Sequence, residues 1–193
     1  MEQMNRTKSL SRTLDLAYIA VGAALIAVCS WISIPMTVPF TLQTFAVFFM
    51  LTLLGGKRGT ASIVVYILLG AAGVPVFAQF SSGLGVLTGS TGGYIIGFLF
   101  TGLIYWAAER FLGDKLWVRI AALVLGLAAC YAFGTGWFIK VYTDANGAVA
   151  LNTVLGWCVY PFIIPDVVKM GLAVTIASRV APFLNTGRKT ASA

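Results

Sequence analysis

The sequence contains no histidine. That removes the commonest zinc ligand and the commonest general base together. Charge is scarce as well: only 10% of the 193 residues are Asp, Glu, Lys or Arg, against roughly 25% in an ordinary soluble domain. The three cysteines, Cys29, Cys130 and Cys158, stand far apart in apolar segments with no paired spacing. They read as small buried hydrophobes, not as a disulfide or a metal site. A phosphate-binding loop is missing too, because Gly56-Lys57 is followed by Arg58 where a Mg²⁺-ligating hydroxyl is required. Gly83, Gly85 and Gly89 miss the dinucleotide spacing by one residue and follow no βαβ unit. Nucleotide hydrolysis by this chain is therefore excluded, and no catalytic residue, metal ligand or cofactor is expected.

What the chain has in abundance is apolar sequence, 59% of all residues. A soluble protein of this size could not bury so much. The blocks are long enough to cross a bilayer and recur along the whole length. The expectation is an all-α membrane protein, a single domain over residues 1–193 built as a bundle of six transmembrane helices. These cover about Leu14–Ile34, Thr41–Leu54, Thr60–Val76, the stretch from after Gly89 to Arg110, Leu116–Ile139 and Val154–Val180. Residues 1–13 and 184–193 are expected as cytoplasmic tails, the second of them disordered.

The net charge of +7 follows topology, with no basic patch for nucleic acid. Arg6, Lys8 and Arg12 precede the first block, Lys57 and Arg58 follow the second, Arg110, Lys115 and Arg119 flank the fourth connection, and Arg179, Arg188 and Lys189 come last. If each block crosses, all of these fall on one side, which the positive-inside rule makes the cytoplasm; both termini then lie there, in a multi-pass protein of the cell membrane. Lys140 and Lys169 are the exceptions. The outer connections are nearly uncharged, and the one from Pro75 to Ser90 is too rich in glycine for a regular helix yet too apolar for a solvated linker. It is expected to fold back as a lid over a cavity.

Asp166 and Lys169 are the only opposite charges set well inside an apolar segment. A charge at membrane depth costs about 2.5–3.5 kcal/mol on insertion scales, so such residues mark a ligand or ion pathway by default. Three residues apart, they share one helix face. A structural ion pair that fixes helix register is the competing reading. Gln43, near the outer end of the second block, and Ser90, Thr91, Gly92, Gly93 and Tyr94, just before the fourth, fall at similar depth. Exposed N–H groups at such a helix start suit a carboxylate or carbonyl; a plain capped entrance is the alternative. Ala20 and Ala24, like Ala23 and Ala27, have the small-xxx-small spacing of close helix contacts, either with another protein or within the bundle.

Several segments together resemble one family in order and spacing: Pro39-Phe40-Thr41-Leu42-Gln43-Thr44, Gly55-Gly56-Lys57-Arg58-Gly59, the run from Leu68 to Phe77, the run from Gly89 to Phe98, and Pro165-Asp166-Val167-Val168-Lys169. They resemble the BioY family, the biotin-specific substrate-capture subunits (S components) of energy-coupling factor (ECF) transporters. The resemblance covers Leu14 to about Phe183. It implies a six-helix subunit that binds biotin near the outer face, with a transmembrane coupling subunit and two cytoplasmic ATPase subunits as partners. It assigns the polar pair of the biotin site to Asp166 and Lys169, its outer lining to Gly89–Tyr94, and the docking surface to Ala20 and Ala24. Gln43 and the Ser90–Gly93 backbone would add hydrogen bonds, with Phe77, Tyr94 and Trp157 as apolar walls. Two positions depart from the family pattern: Ser90, where proline is frequent, and Gln79, where a small residue is usual. An S component for another small vitamin, an intramembrane lipid-modifying enzyme and an assembly subunit remain the rival readings.

Overall fold

The computed structural model describes residues 2–190, with side chains over residues 12–184. The chain is almost wholly helical. Helix α1 runs Glu2–Trp31 and is followed by a small antiparallel hairpin, β1 (Ser33–Ile34) and β2 (Phe40–Thr41), with Ser33 opposite Thr41. Helices α2 (Gln43–Leu54) and α3 (Gly56–Ala71) meet at Gly55, whose φ of 81° allows the reversal without a linker. A 3-10 turn (Ala78–Phe80) and the short α4 (Leu84–Thr88) lead to α5 (Gly92–Leu112), α6 (Leu116–Asn146), α7 (Leu151–Cys158) and α8 (Tyr160–Thr190).

Among the described residues, four segments are long and apolar enough to cross a membrane: Arg12–Trp31, Gly92–Leu112, Leu116–Asn146 and Leu151–Leu184. Helices α2 and α3, with 12 and 16 residues, reach only about 18 and 24 Å at 1.5 Å per residue, short of a hydrocarbon core about 30 Å thick. The last expected helix is not continuous. It breaks at Val159 (φ −125°, ψ −58°), and Pro161 then sits in the first turn of α8, where a missing N–H costs nothing. The helix also continues through the expected disordered tail to Thr190; residues 191–193 lie outside the described residues.

Helix α8 shows how the bundle faces its surroundings. Phe162, Asp166, Lys169, Met170, Ala173, Val174 and Ala177 are buried, at the 3.6-residue period of one face. The opposite face exposes Ile163, Ile164, Val167 and Val168, an apolar outer surface suited to lipid. Helix α1 divides its alanines in the same way: Ala23 and Ala27 are in the core, whereas Ala20 and Ala24 are exposed.

Close helix approach holds the centre. A Cβ on Gly134 of α6 would stand 2.3 Å from the Tyr94 ring of α5, and one on Gly93 would stand 2.4 Å from Trp137 Cβ. Trp137 Nε1 in turn donates to the Gly89 carbonyl at 3.0 Å, fixing the entrance of α5 against α6. Gly134→Ala is therefore expected to lower stability by about 1–3 kcal/mol through overpacking, read as a lower melting temperature in detergent.

Candidate functional site

Asp166 and Lys169 are 1% and 6% exposed. Lys169 Nζ lies 2.9 Å from Asp166 Oδ1, so α8 makes the pair within one turn. The pair is not left to itself. Thr44 Oγ1 donates to Asp166 Oδ1 at 2.8 Å, and Tyr131 OH donates to Asp166 Oδ2 at 2.6 Å. Lys169 Nζ donates to the Thr41 carbonyl at 2.7 Å and to Thr44 Oγ1 at 3.2 Å, and it sits 4.1 Å from the centre of the Phe40 ring. Each charge thus meets the compensation that burial demands.

An ammonium has three protons, and Asp166, Thr41 and Thr44 take all of them. A carboxylate has about four acceptor positions; Oδ1 uses two and Oδ2 one. The position left open for a new donor is on Oδ2, beside the Tyr131 hydroxyl.

These groups open onto a cavity of about 250 Å³, just below the roughly 300–1,000 Å³ common for small-molecule sites. Its walls are apolar, with Phe77, Val86, Ile95, Phe98, Leu127 and Phe162 prominent among them. The α3–α4 connection contributes Phe77, Ala78, Gln79 and Ser81, and the hairpin contributes Val38, Pro39 and Thr41. The connection is tied down: Phe77 N–H donates to the Ser81 carbonyl at 3.1 Å, and Gly83 N–H to the Gly70 carbonyl at 2.7 Å. Gln79 adopts φ 57°, a left-handed conformation that costs a residue with a Cβ. The α1 terminus clasps the same segment. Ser30 Oγ donates to the Val76 carbonyl at 2.5 Å, Trp31 Nε1 donates to the Pro75 carbonyl at 2.9 Å, and Trp31 stacks on Phe80 at 5.0 Å.

The cavity is at the opposite end of α3 and α5 from Lys57, Arg58 and Arg110. Arg179 stands roughly 20 Å further along α8 than Asp166, at 1.5 Å per residue. The cavity and these four basic residues therefore occupy opposite ends of the bundle.

Of the residues singled out in the sequence, Gln43, Phe77, Thr91, Tyr94, Asp166 and Lys169 come together around the cavity. Ser90, Gly92, Gly93 and Trp157 are not in its lining. Gly92 and Gly93 serve close packing: a Cβ on Gly92 would be 1.9 Å from the Leu87 carbonyl oxygen, and Gly93 abuts Trp137. Ser90 lies in the turn between α4 and α5. Trp157 is exposed and faces Tyr142, ring centres 5.8 Å apart. The residues that sequence reasoning missed are Tyr131, Thr44 and the chamber-lining thiols Cys130 and Cys158. Thr44 was adjacent to Gln43 in a polar cluster. Tyr131 carried no signal at all, being one aromatic in a long apolar helix.

An all-helical membrane protein with an apolar chamber at one end, and a satisfied ion pair set into its wall, is built to enclose a small, partly polar molecule. Comparison with known proteins gives this class a family. The BioY family matches residues 3–186. The biotin transporter BioY of Thermotoga maritima is 40% identical over 162 residues, covering 83% of this chain and 91% of that protein. The biotin transporter BioY2 of Lactococcus lactis is 39% identical, over 90% of each chain. A crystal structure of the S-component for biotin from an ECF-type ABC transporter superposes with a TM-score of 0.75 at 27% identity, covering 88% of this chain and 92% of that one. The chain belongs to the BioY family.

Removing one partner of a buried pair strands the other. Asp166→Asn and Lys169→Met are each expected to cost about 3–5 kcal/mol, and the double variant less than the sum of the two. Unfolding in detergent across this double-mutant cycle measures the coupling.

Proposed function

We propose that this protein is the high-affinity biotin-binding S component of an ECF-type vitamin uptake transporter. It captures biotin from outside and delivers it inward with a transmembrane coupling subunit and two cytoplasmic ATPase subunits. The observation that carries the reading is the buried Asp166–Lys169 pair at the wall of an apolar chamber, in a chain of a family whose curated relatives are named biotin transporters.

The ligand's chemistry matches the chamber. Asp166 Oδ2 accepts a ureido N–H at its open position, Gln43 and Thr91 add polar contacts, and Phe77 and Tyr94 flank the ring and aliphatic tail. Lys169 reaches a ligand only by giving up a bond to Thr41 or Thr44, so its first role is to hold Asp166 in orientation. Ser90, Gly92, Gly93 and Trp157 shape the wall from behind. Six membrane crossings follow when α2 and α3 count as crossings and α7 with α8 as one. The α3–α4 connection is the lid. Both termini are cytoplasmic, with the basic residues facing the negative inner leaflet. The exposed Ala20 and Ala24 face of α1 is the docking surface for the coupling subunit.

Calorimetric titration of the purified protein with biotin and with other vitamins tests this. Biotin binds and the others do not, and Asp166→Asn weakens biotin binding roughly 10–100-fold, as expected for a lost hydrogen bond to a charge. Heat from a different vitamin alone would reassign the ligand.

A further inference from the structure

The bundle has a second cavity, at the end that carries Lys57, Arg58 and Arg110. It measures about 370 Å³, more than the chamber. Helix α1 gives it Asp15, the first turn of α3 gives Lys57 and Arg58, and the last turn of α5 gives Glu109. Ile19, Leu54 and Ala61 supply its apolar wall. The chamber uses none of these groups.

The charged groups have hydrogen-bonding capacity left over. Arg58 and Asp15 form an ion pair of 2.6 Å, which engages one guanidinium nitrogen and one carboxylate oxygen. Glu109 Oε2 accepts from the Gly56 N–H at 2.6 Å, while Oε1 lies over Gly55, 3.0 Å from where a Cβ would stand. Lys57 is exposed and, among the described residues, has no ion-pair partner. The cavity therefore offers open N–H donors from Lys57 and Arg58 and open acceptor oxygens from Asp15 and Glu109.

That arrangement asks for a ligand carrying both an anion and a cation. A phosphate suits the lysine and the arginine, and the positive end of α3 adds to their attraction. The cation has to bring N–H groups, because acceptors covered by a ligand weaken its binding when they go unpaired. A quaternary ammonium brings none, and the aromatic faces that recognise one do not occur among the described lining residues. A phosphate joined to one primary amine, with no third charge, is the phosphoethanolamine headgroup. Place for its acyl chains is present too. From Ala61 in the cavity wall, Val64 and Leu68 follow at i+3 and i+7 of one helical face, both exposed. A soluble phosphate would make no use of that stripe.

We infer that the cavity between α1, α3 and α5 is a binding site for phosphatidylethanolamine. The headgroup lies between the Lys57–Arg58 donors and the Asp15–Glu109 acceptors, and an acyl chain follows Val64 and Leu68. Only the assignment of this lipid to the inner leaflet depends on the orientation proposed above.

The test adds short-chain phosphatidylethanolamine to the detergent-purified full chain, with short-chain phosphatidylcholine, short-chain phosphatidylglycerol and free phosphoethanolamine as comparisons. Native mass spectrometry counts the bound molecules, and the rise in melting temperature gives affinities. Phosphatidylethanolamine is expected to bind one per chain, about tenfold tighter than each comparison. Glu109→Gln keeps an acceptor for the Gly56 N–H and narrows the preference over phosphatidylcholine; Lys57→Gln weakens both lipids through the phosphate they share. Biotin affinity is unchanged in both variants, which separates a failure of this site from a failure of the biotin reading. Equal affinity for the ethanolamine and choline lipids, tighter binding of phosphatidylglycerol, or an unchanged response in Lys57→Gln overturns the site, whether or not Glu109→Gln folds. Free phosphoethanolamine binding as tightly as the lipid overturns the assignment to a lipid. Binding of none of them overturns the proposal and leaves the cavity to a protein partner.

Discussion

Two charges removed from water have to be satisfied where they stand, and that requirement organises the chamber end of this protein. Asp166 and Lys169 draw on four elements at once: the backbone of β2 through Thr41, the first turn of α2 through Thr44, the middle of α6 through Tyr131, and α8 itself. Move any one of these and a buried charge loses a partner. The pair is thus less a source of net stability than a specification of geometry, since a hydrophobic replacement would hold the helices together as well. What such a replacement would lack is the single acceptor position left over on Asp166.

The all-helical membrane architecture and the charged pair were legible in the sequence for the same reason: cost. Long apolar runs have no soluble use, and a charge within them has no cheap explanation. The parts that were not legible involve residues whose type admits two uses. Gly92 and Gly93 were expected to expose N–H groups to a ligand, but the same absence of a side chain lets α5 pass close to Leu87 and Trp137. Trp157 was expected as an apolar wall, but it is exposed on α7 and meets Tyr142 instead. Tyr131 could not be singled out because a tyrosine in an apolar helix is conspicuous only once its hydroxyl has a partner.

The break between α7 and α8 shows local rules yielding to position. Pro161 lies beside the break and Pro165 follows within α8, yet the non-helical residue is Val159. Proline is tolerated in the first turn of a helix, so the chain turns just before its prolines and Asp166 follows within two turns of the new start. The hairpin behaves similarly: Pro35 and Pro39 flank the bend at its tip, over residues 36–38, and Thr41 emerges with its carbonyl aimed at Lys169.

Helix α1 grips the segment above the chamber through Ser30 and Trp31, while the alanines nearer its middle face outward. A stiff rod fastened at its tip is a lever. A displacement along the flank of α1 is therefore carried to the peptide groups of Pro75 and Val76, and from them to the stretch of chamber wall that Phe77 and Ala78 line.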